Sequence, residues 1–138
     1  MGQQSNVYGV IDCFKGQRGE INSDELNRVA IAELPERDSW PFLVRGMFAT
    51  TSSEQVTIDY MYRLMHFAAS YKEVEFDWAS WLAKFEHFLT RVDGMTATVH
   101  LETGLVGDHT YEWVRDTATI NVWPPRWAFQ GGVRDFKI

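Results

Sequence analysis

The chain has 138 residues, a formal net charge of −6, one cysteine and 14% aromatic residues. A chain of this length corresponds to one domain and buries enough surface to hold a core without a disulfide or a metal. The cysteine count excludes disulfide-stabilised and four-cysteine zinc folds, and the negative charge disfavours binding to the phosphate backbone of nucleic acids.

The compartment is predicted from the start of the chain and from its apolar runs. Residues 1–6 are polar and lack the basic and apolar regions of a signal peptide. No apolar run approaches the roughly 20 residues that a membrane-spanning helix needs. Together with the single cysteine, these features predict a cytoplasmic protein with no membrane contact. With no linker or repeat in view, residues 1–138 are predicted to form a single globular domain.

The first half of the chain predicts a strand followed by a helix. Residues 8–14 are apolar and partly β-branched, which is typical of a strand. Ser23 is the predicted N-cap of the helix, and the residue before Pro35 cannot continue it. Residues 56–71 are ambiguous and favour strands over a helix.

The helix with the clearest pattern is predicted between about Asp77 and Val92. Apolar residues recur there at steps of three and four, and Gly94 follows at a position typical of a helix C-terminus. The members of this apolar stripe are Trp78, Trp81, Leu82, Phe85, Phe88, Leu89 and Val92.

The C-terminal part of the chain, from residue 96 onward, is predicted to form β structure. Residues 96–103 and 108–114 flank a short loop bounded by Gly104 and Gly107, which predicts a hairpin. Residues 117–123 predict a further strand, and residues 126–133 predict an irregular edge. The expected fold is therefore α+β, with an antiparallel sheet, one long amphipathic helix packed on it and a second, shorter helix.

Four polar side chains of this hairpin form a candidate site. If residues 104–107 are the unpaired loop, Glu102 faces His109 and His100 faces Tyr111, so all four share one face of the sheet. Two imidazoles and a carboxylate could hold a metal or move a proton. The alternative interpretation is a solvated polar sheet face with a cross-strand pair.

Catalytic motifs are missing from the sequence. The string His100-Leu101-Glu102 matches the H-x-E part of the zinc deaminase signature, but the chain lacks its P-C-x-x-C. No H-E-x-x-H, G-x-S-x-G or P-loop is present. We therefore predict no catalytic residue, no metal and no cofactor, and we interpret Cys13 as a core residue.

The aromatic residues divide into core and surface candidates. Those at helical spacing in residues 77–92 are expected in the core. Trp113, Trp127 and Phe129 lie in strands or at segment ends, and we predict them to bind a partner, since exposed aromatics anchor protein interfaces.

Five strings of this sequence resemble those of small immunity proteins of bacterial polymorphic toxin systems. The strings are Trp40-Pro41-Phe42, residues 67–72, residues 81–86, residues 100–103 and residues 127–132. The resemblance implies a cytoplasmic, non-enzymatic inhibitor that blocks a cognate toxin domain. An acidic protein would suit a basic toxin, because opposite charges speed encounter. The alternative is a small α+β enzyme or ligand-binding domain that uses the polar hairpin site.

Overall fold

The computed structural model describes residues 2–51 and 58–138, and the predicted α+β class is confirmed there. Two α-helices accompany a six-stranded antiparallel sheet and a separate hairpin of two strands with two residues each. The helices are α1 (Ser23–Ala32) and α2 (Trp78–Leu89). The strands are β1 (Gln4–Cys13), β2 (Gln17–Arg18), β3 (Ile21–Asn22), β4 (Phe48–Thr50), β5 (Arg63–Lys72), β6 (Gly94–Glu102), β7 (Asp108–Arg115) and β8 (Trp127–Phe129).

The sheet has the strand order β4-β5-β1-β6-β7-β8, so the first strand of the chain lies near its centre. β1 pairs with β5 along its whole length, from Gln4 opposite Lys72 to Cys13 opposite Arg63. Its side chains alternate between the two faces, as the strand period of two requires. Val7 and Ile11 point to one face and are fully buried, whereas Tyr8 points to the other and is exposed.

Helix α2 covers one face of this sheet with its apolar stripe. Phe85 packs between Phe67 of β5, at 5.3 Å between ring centroids, and Trp113 of β7, at 5.1 Å. The predicted burial of the stripe is confirmed, since each of its members is at most 2% exposed. The core therefore lies between α2 and one sheet face.

The predicted start of this helix is confirmed to within one residue, with Asp77 as the N-cap of α2, but its predicted end is wrong and one long helix is not confirmed. The α-helical part of α2 has 12 residues against 10 in α1, and a 3-10 turn at Val74–Asp77 precedes it. Thr90 is the C-cap, and its hydroxyl donates to the carbonyl oxygen of His87 at 2.6 Å. Gly94 starts β6 instead of ending the helix, because the chain turns back to the sheet before it.

The N-cap of α1 is Asn22 and not Ser23. The Asn22 side chain accepts a hydrogen bond from the Glu25 amide at 3.2 Å. Ser23 lies inside the first turn, fully buried, with its hydroxyl donating to Asp93 at 2.5 Å. Both residue types are good caps, so local preference could not separate them.

Other predicted elements are shifted or replaced. Residues 117–123 do not form a strand, because Asp116 caps a 3-10 turn at Thr117–Thr119 by accepting from the Ala118 amide at 3.0 Å. The predicted C-terminal edge is present as β8, beside β7. Of the ambiguous residues 56–71, those from 63 onward lie in β5, and residues 56–57 fall outside the described residues.

A buried ion-pair network joins distant parts of the chain at Asp93. This carboxylate is fully buried, and Arg18 and Arg115 donate to it at 2.8 and 3.1 Å. Asn27 of α1 completes the contact, accepting from the Asp93 amide at 2.7 Å and donating to its carbonyl oxygen at 3.0 Å. The network ties α1 and the small hairpin to the end of β7.

We expect Cys13 to be inert towards thiol reagents in the folded protein. Burial raises the pKa of its thiol from 9.0 to about 12, and the side chain is only 2% exposed. The thiolate is the reactive form, so a pKa three units higher slows modification about a thousandfold at pH 8 even before access is considered. Absorbance from an aromatic disulfide reagent measures this rate, with the protein in concentrated urea as the control. Equal rates in the two conditions would contradict the expectation.

Candidate protein-binding site

The register of the β6–β7 hairpin differs by one residue from the predicted register. Glu102 pairs with Asp108, and His100 pairs with Thr110. The loop therefore has five residues, because Thr103 belongs to the turn: its hydroxyl accepts from the Val106 amide at 2.9 Å and donates to the Gly107 carbonyl oxygen at 2.9 Å. Gly107 takes a φ of +80°, a conformation that favours glycine.

This register divides the predicted polar site between the two faces of the sheet. His100 and Glu102 lie on the face away from α2, whereas His109 and Tyr111 lie on the core side, where their strand partners Leu101 and Val99 are buried. The Tyr111 hydroxyl donates to the Val133 carbonyl oxygen at 2.6 Å, and burial raises its pKa. The prediction that the four side chains form one site is wrong, because a one-residue slip exchanges the faces of a strand.

The aromatic residues predicted to bind a partner are packed against the core. Trp113 is 1% exposed, and its indole nitrogen donates to Glu86 at 3.0 Å, so its prediction as a surface anchor is wrong. Trp127 and Phe129 are half-buried. Phe129 packs on Trp113 at 5.3 Å and carries the Arg134 guanidinium over its ring at 4.8 Å. A part for Trp127 and Phe129 in binding stays a prediction.

The described residues leave the opposite face of the sheet uncovered. We call it the open face, and among the described residues none of its side chains is buried. A sheet face left in solvent is expected to carry polar side chains, and this one mostly does. Its central members are Asn6, Tyr8, Val10 and Asp12 of β1, Leu64, His66, Ala68, Ser70 and Lys72 of β5, Thr96, Thr98, His100 and Glu102 of β6, and Asp108, Thr110, Glu112 and Val114 of β7.

A connected group of side chains occupies the middle of the open face. The Tyr8 hydroxyl donates to one Glu102 carboxylate oxygen at 2.7 Å, and the other carboxylate oxygen accepts from the side-chain amide of Asn6 at 3.5 Å. The hydrogen bond to Glu102 raises the pKa of Tyr8, so its hydroxyl stays a donor. The Tyr8 ring lies 5.1 Å from the His100 ring and remains 39% exposed. The ring is thus held in place while part of it faces solvent.

The open face is also acidic. Asp12, Glu102, Asp108 and Glu112 point to it, against one lysine, Lys72. None of these four carboxylates forms an ion pair with a lysine or arginine within residues 2–51 and 58–138. Elsewhere the acidic groups are commonly neutralised, as Glu86 is by Arg134. The open face therefore carries an excess of negative charge, with four carboxylates against one lysine.

The sequence analysis did not identify this face, although β1 carried a signal for it. Residues 5, 7, 9, 11 and 13 are small or apolar, whereas Asn6, Tyr8 and Asp12 alternate with them as larger polar or aromatic residues. That alternation is the pattern of a strand with one solvated face. It could have shown that Tyr8 points away from the core, but not which side chains of other strands lie beside it.

Neither a metal-binding cluster nor a membrane-spanning helix is found among residues 2–51 and 58–138. No group of three or more His, Cys, Asp or Glu side chains there is placed to hold a metal ion. In the same residues no helix combines the length and apolar character needed to cross a bilayer. In comparisons with known proteins, no family model, no curated protein and no solved structure matches this chain.

Proposed function

We propose that this protein is a cytoplasmic immunity protein that binds a cognate toxin domain and neutralises it through the open face. The observation that carries the proposal is a solvent-facing sheet face with a fixed, exposed tyrosine among carboxylates that form no ion pair within the described part of the chain. Tyrosine is a preferred anchor of protein interfaces, and unpaired charges of one sign select a partner of the opposite sign. The expected partner is a basic protein surface.

The size of the face suits a protein partner. The four long strands, β1, β5, β6 and β7, have 8–10 residues each, and with about 4.8 Å between strands and about 3.3 Å per residue they give a plane of roughly 600 Å². Specific protein complexes bury about 800 Å² on each partner, so the open face with its rim is large enough. A nucleic acid is a poor alternative, because the same carboxylates repel its phosphates.

The resemblance to immunity proteins is in keeping with this location. Two of its five strings contribute to the open face: residues 67–72 include Ala68, Ser70 and Lys72, and residues 100–103 include His100 and Glu102. These residues lie on β5 and β6, the two neighbours of β1. The side chains around Tyr8 therefore come largely from strings on which the resemblance rests.

Co-expression with the products of the flanking genes tests the proposal. We expect one of them to be toxic alone, to be tolerated in the presence of this protein and to bind it in a pull-down. A matched empty vector controls for expression load. The proposal would be overturned if a flanking product is toxic and this protein neither relieves the toxicity nor binds that product. It would also be overturned if all flanking products are harmless.

A further inference from the structure

A groove runs beside Tyr8 on the open face. Asn6, Tyr8 and Glu102 form its wall, while Ala68 and Ser70 form its floor together with the backbone between β1 and β5. The floor is low because β5 places two small side chains opposite Tyr8 and Asn6. The groove is shallow and open to solvent, and its volume is about 350 Å³. This is near the lower end of the range of about 300–1,000 Å³ for ligand sites, so it suits one side chain and not a helix or strand.

The two sides of β1 differ in what they present to this groove. On the β6 side, His100 and Glu102 hold the tyrosine by ring contact and by a hydrogen bond. On the β5 side, the strand partner of Tyr8 is Ala68, whose small side chain leaves space beside the ring. The wall thus combines an aromatic ring with a carboxylate that has no cationic partner among the described residues.

We propose that this groove receives an arginine side chain of the bound partner protein. The proposal rests on the proposed function for the identity of the partner as a protein. A planar guanidinium stacks on aromatic rings and donates two parallel hydrogen bonds to a carboxylate, so one side chain meets both parts of the wall. The surrounding Asp12, Asp108 and Glu112 add attraction for a cation.

Lysine and apolar side chains fit the groove less well. An ammonium is strongly hydrated and lacks the flat surface that stacks on a ring. An apolar side chain would leave the Glu102 carboxylate and the Asn6 amide covered without new partners, which costs free energy. Lys72 lies one position beyond Ser70 on the same face of β5, so it leaves the wall of Tyr8 and Glu102 free for an incoming cation.

The probe for this site is N-acetyl-arginine amide, added to isotope-labelled protein and followed by amide NMR shifts. We expect localised shifts around Asn6, Tyr8, Ala68 and Glu102, with an affinity on the order of millimolar because one side chain makes few contacts. N-acetyl-citrulline amide has nearly the same shape without the charge and should not bind. Absence of localised shifts, or equal binding of the citrulline or lysine analogue, would overturn the proposal.

Two variants test the groove itself. Ala68→Leu fills the floor, and Glu102→Gln removes the charge while keeping the shape. Glu102→Gln should weaken binding of the arginine probe at least about tenfold, the change that one charge-assisted hydrogen bond carries. Ala68→Leu should weaken it at least as much, because the larger side chain occupies the space that the guanidinium would take. The control is Ala128→Leu, the same alanine-to-leucine substitution at an exposed position of β8, which should leave the affinity for the probe unchanged. If both groove variants bind the probe like the original protein, the groove is not the site.

Failure of this proposal can be told apart from failure of the proposed function. If Ala68→Leu and Glu102→Gln proteins both protect against the toxin and bind it as tightly as the original, the groove proposal fails while the immunity function stands. If the groove binds the arginine probe but no flanking gene product is bound, the immunity function fails and the groove remains an arginine site.

Discussion

Replacing Asp93 with alanine is expected to lower the free energy of unfolding by about 3–5 kcal/mol, because it leaves buried positive charge without a partner. Arg115 has a fully buried side chain, and Arg18 is 19% exposed. Burial already lowers the pKa of Arg115 against the opposing effect of Asp93. With the carboxylate gone, Arg115 retains the neutral carbonyl oxygens of Gly94 and Thr119 as acceptors, at 3.1 and 2.8 Å.

Urea unfolding followed by tryptophan fluorescence measures this loss. A domain of this size is typically stable by about 5–15 kcal/mol, so the variant should unfold at much lower urea or fail to fold. The control is Glu36→Ala, which breaks an exposed pair with Arg45 at 3.5 Å and should cost at most about 1 kcal/mol. A second substitution, Arg115→Met, should restore part of the stability lost in Asp93→Ala. Similar costs for Asp93→Ala and Glu36→Ala would show that the network is dispensable.

Reversing two charges of the open face should slow association with the toxin by about ten- to a hundredfold at low salt. Asp108→Lys with Glu112→Lys changes the face from four carboxylates and one lysine to two carboxylates and three lysines. Both side chains are exposed, and neither forms an ion pair among the described residues, so the fold should tolerate the change. Association of the original protein should slow as salt rises, since charges are screened beyond about 8–10 Å at physiological ionic strength.

The matched control changes the net charge equally at other positions. Glu20→Lys with Glu36→Lys also shifts the formal charge from −6 to −2, because each reversal adds two, but both residues lie in exposed loops outside the open face. Stopped-flow or surface-plasmon measurements at low and high salt give the rates. If both double variants slow association alike, net charge alone governs encounter and the open face is not the docking surface.

The helix α2 and the β6–β7 hairpin show which structural features a local sequence pattern can predict. The stripe from Trp78 to Leu89 was predictable because its periodicity lies within one segment and matches the geometry of a helix. The end of the helix was not predictable from this pattern, because the point at which the chain leaves the helix for the sheet depends on where β6 pairs. The two hairpin strands were likewise visible, but their register depends on whether Thr103 pairs or joins the turn.

The open face and the Asp93 network were beyond sequence reasoning for a different reason. Tyr8 and Glu102 are 94 positions apart, and Arg18 and Asp93 are 75 apart. No spacing rule connects such residues, since strand order alone brings them together. Trp113 illustrates the same limit: its strand was predicted, but whether it faced solvent depended on the side that α2 covers.

The sequence by itself determined the α+β class, the apolar stripe of α2, the positions of the hairpin strands and the acidic balance, because periodicity, turn residues and charge are local or additive properties. Only the tertiary structure decided which face of each strand is covered, which carboxylates are paired and which small side chains lie opposite Tyr8. Those features follow from the pairing of distant strands, where a shift of one residue moves every side chain to the opposite face.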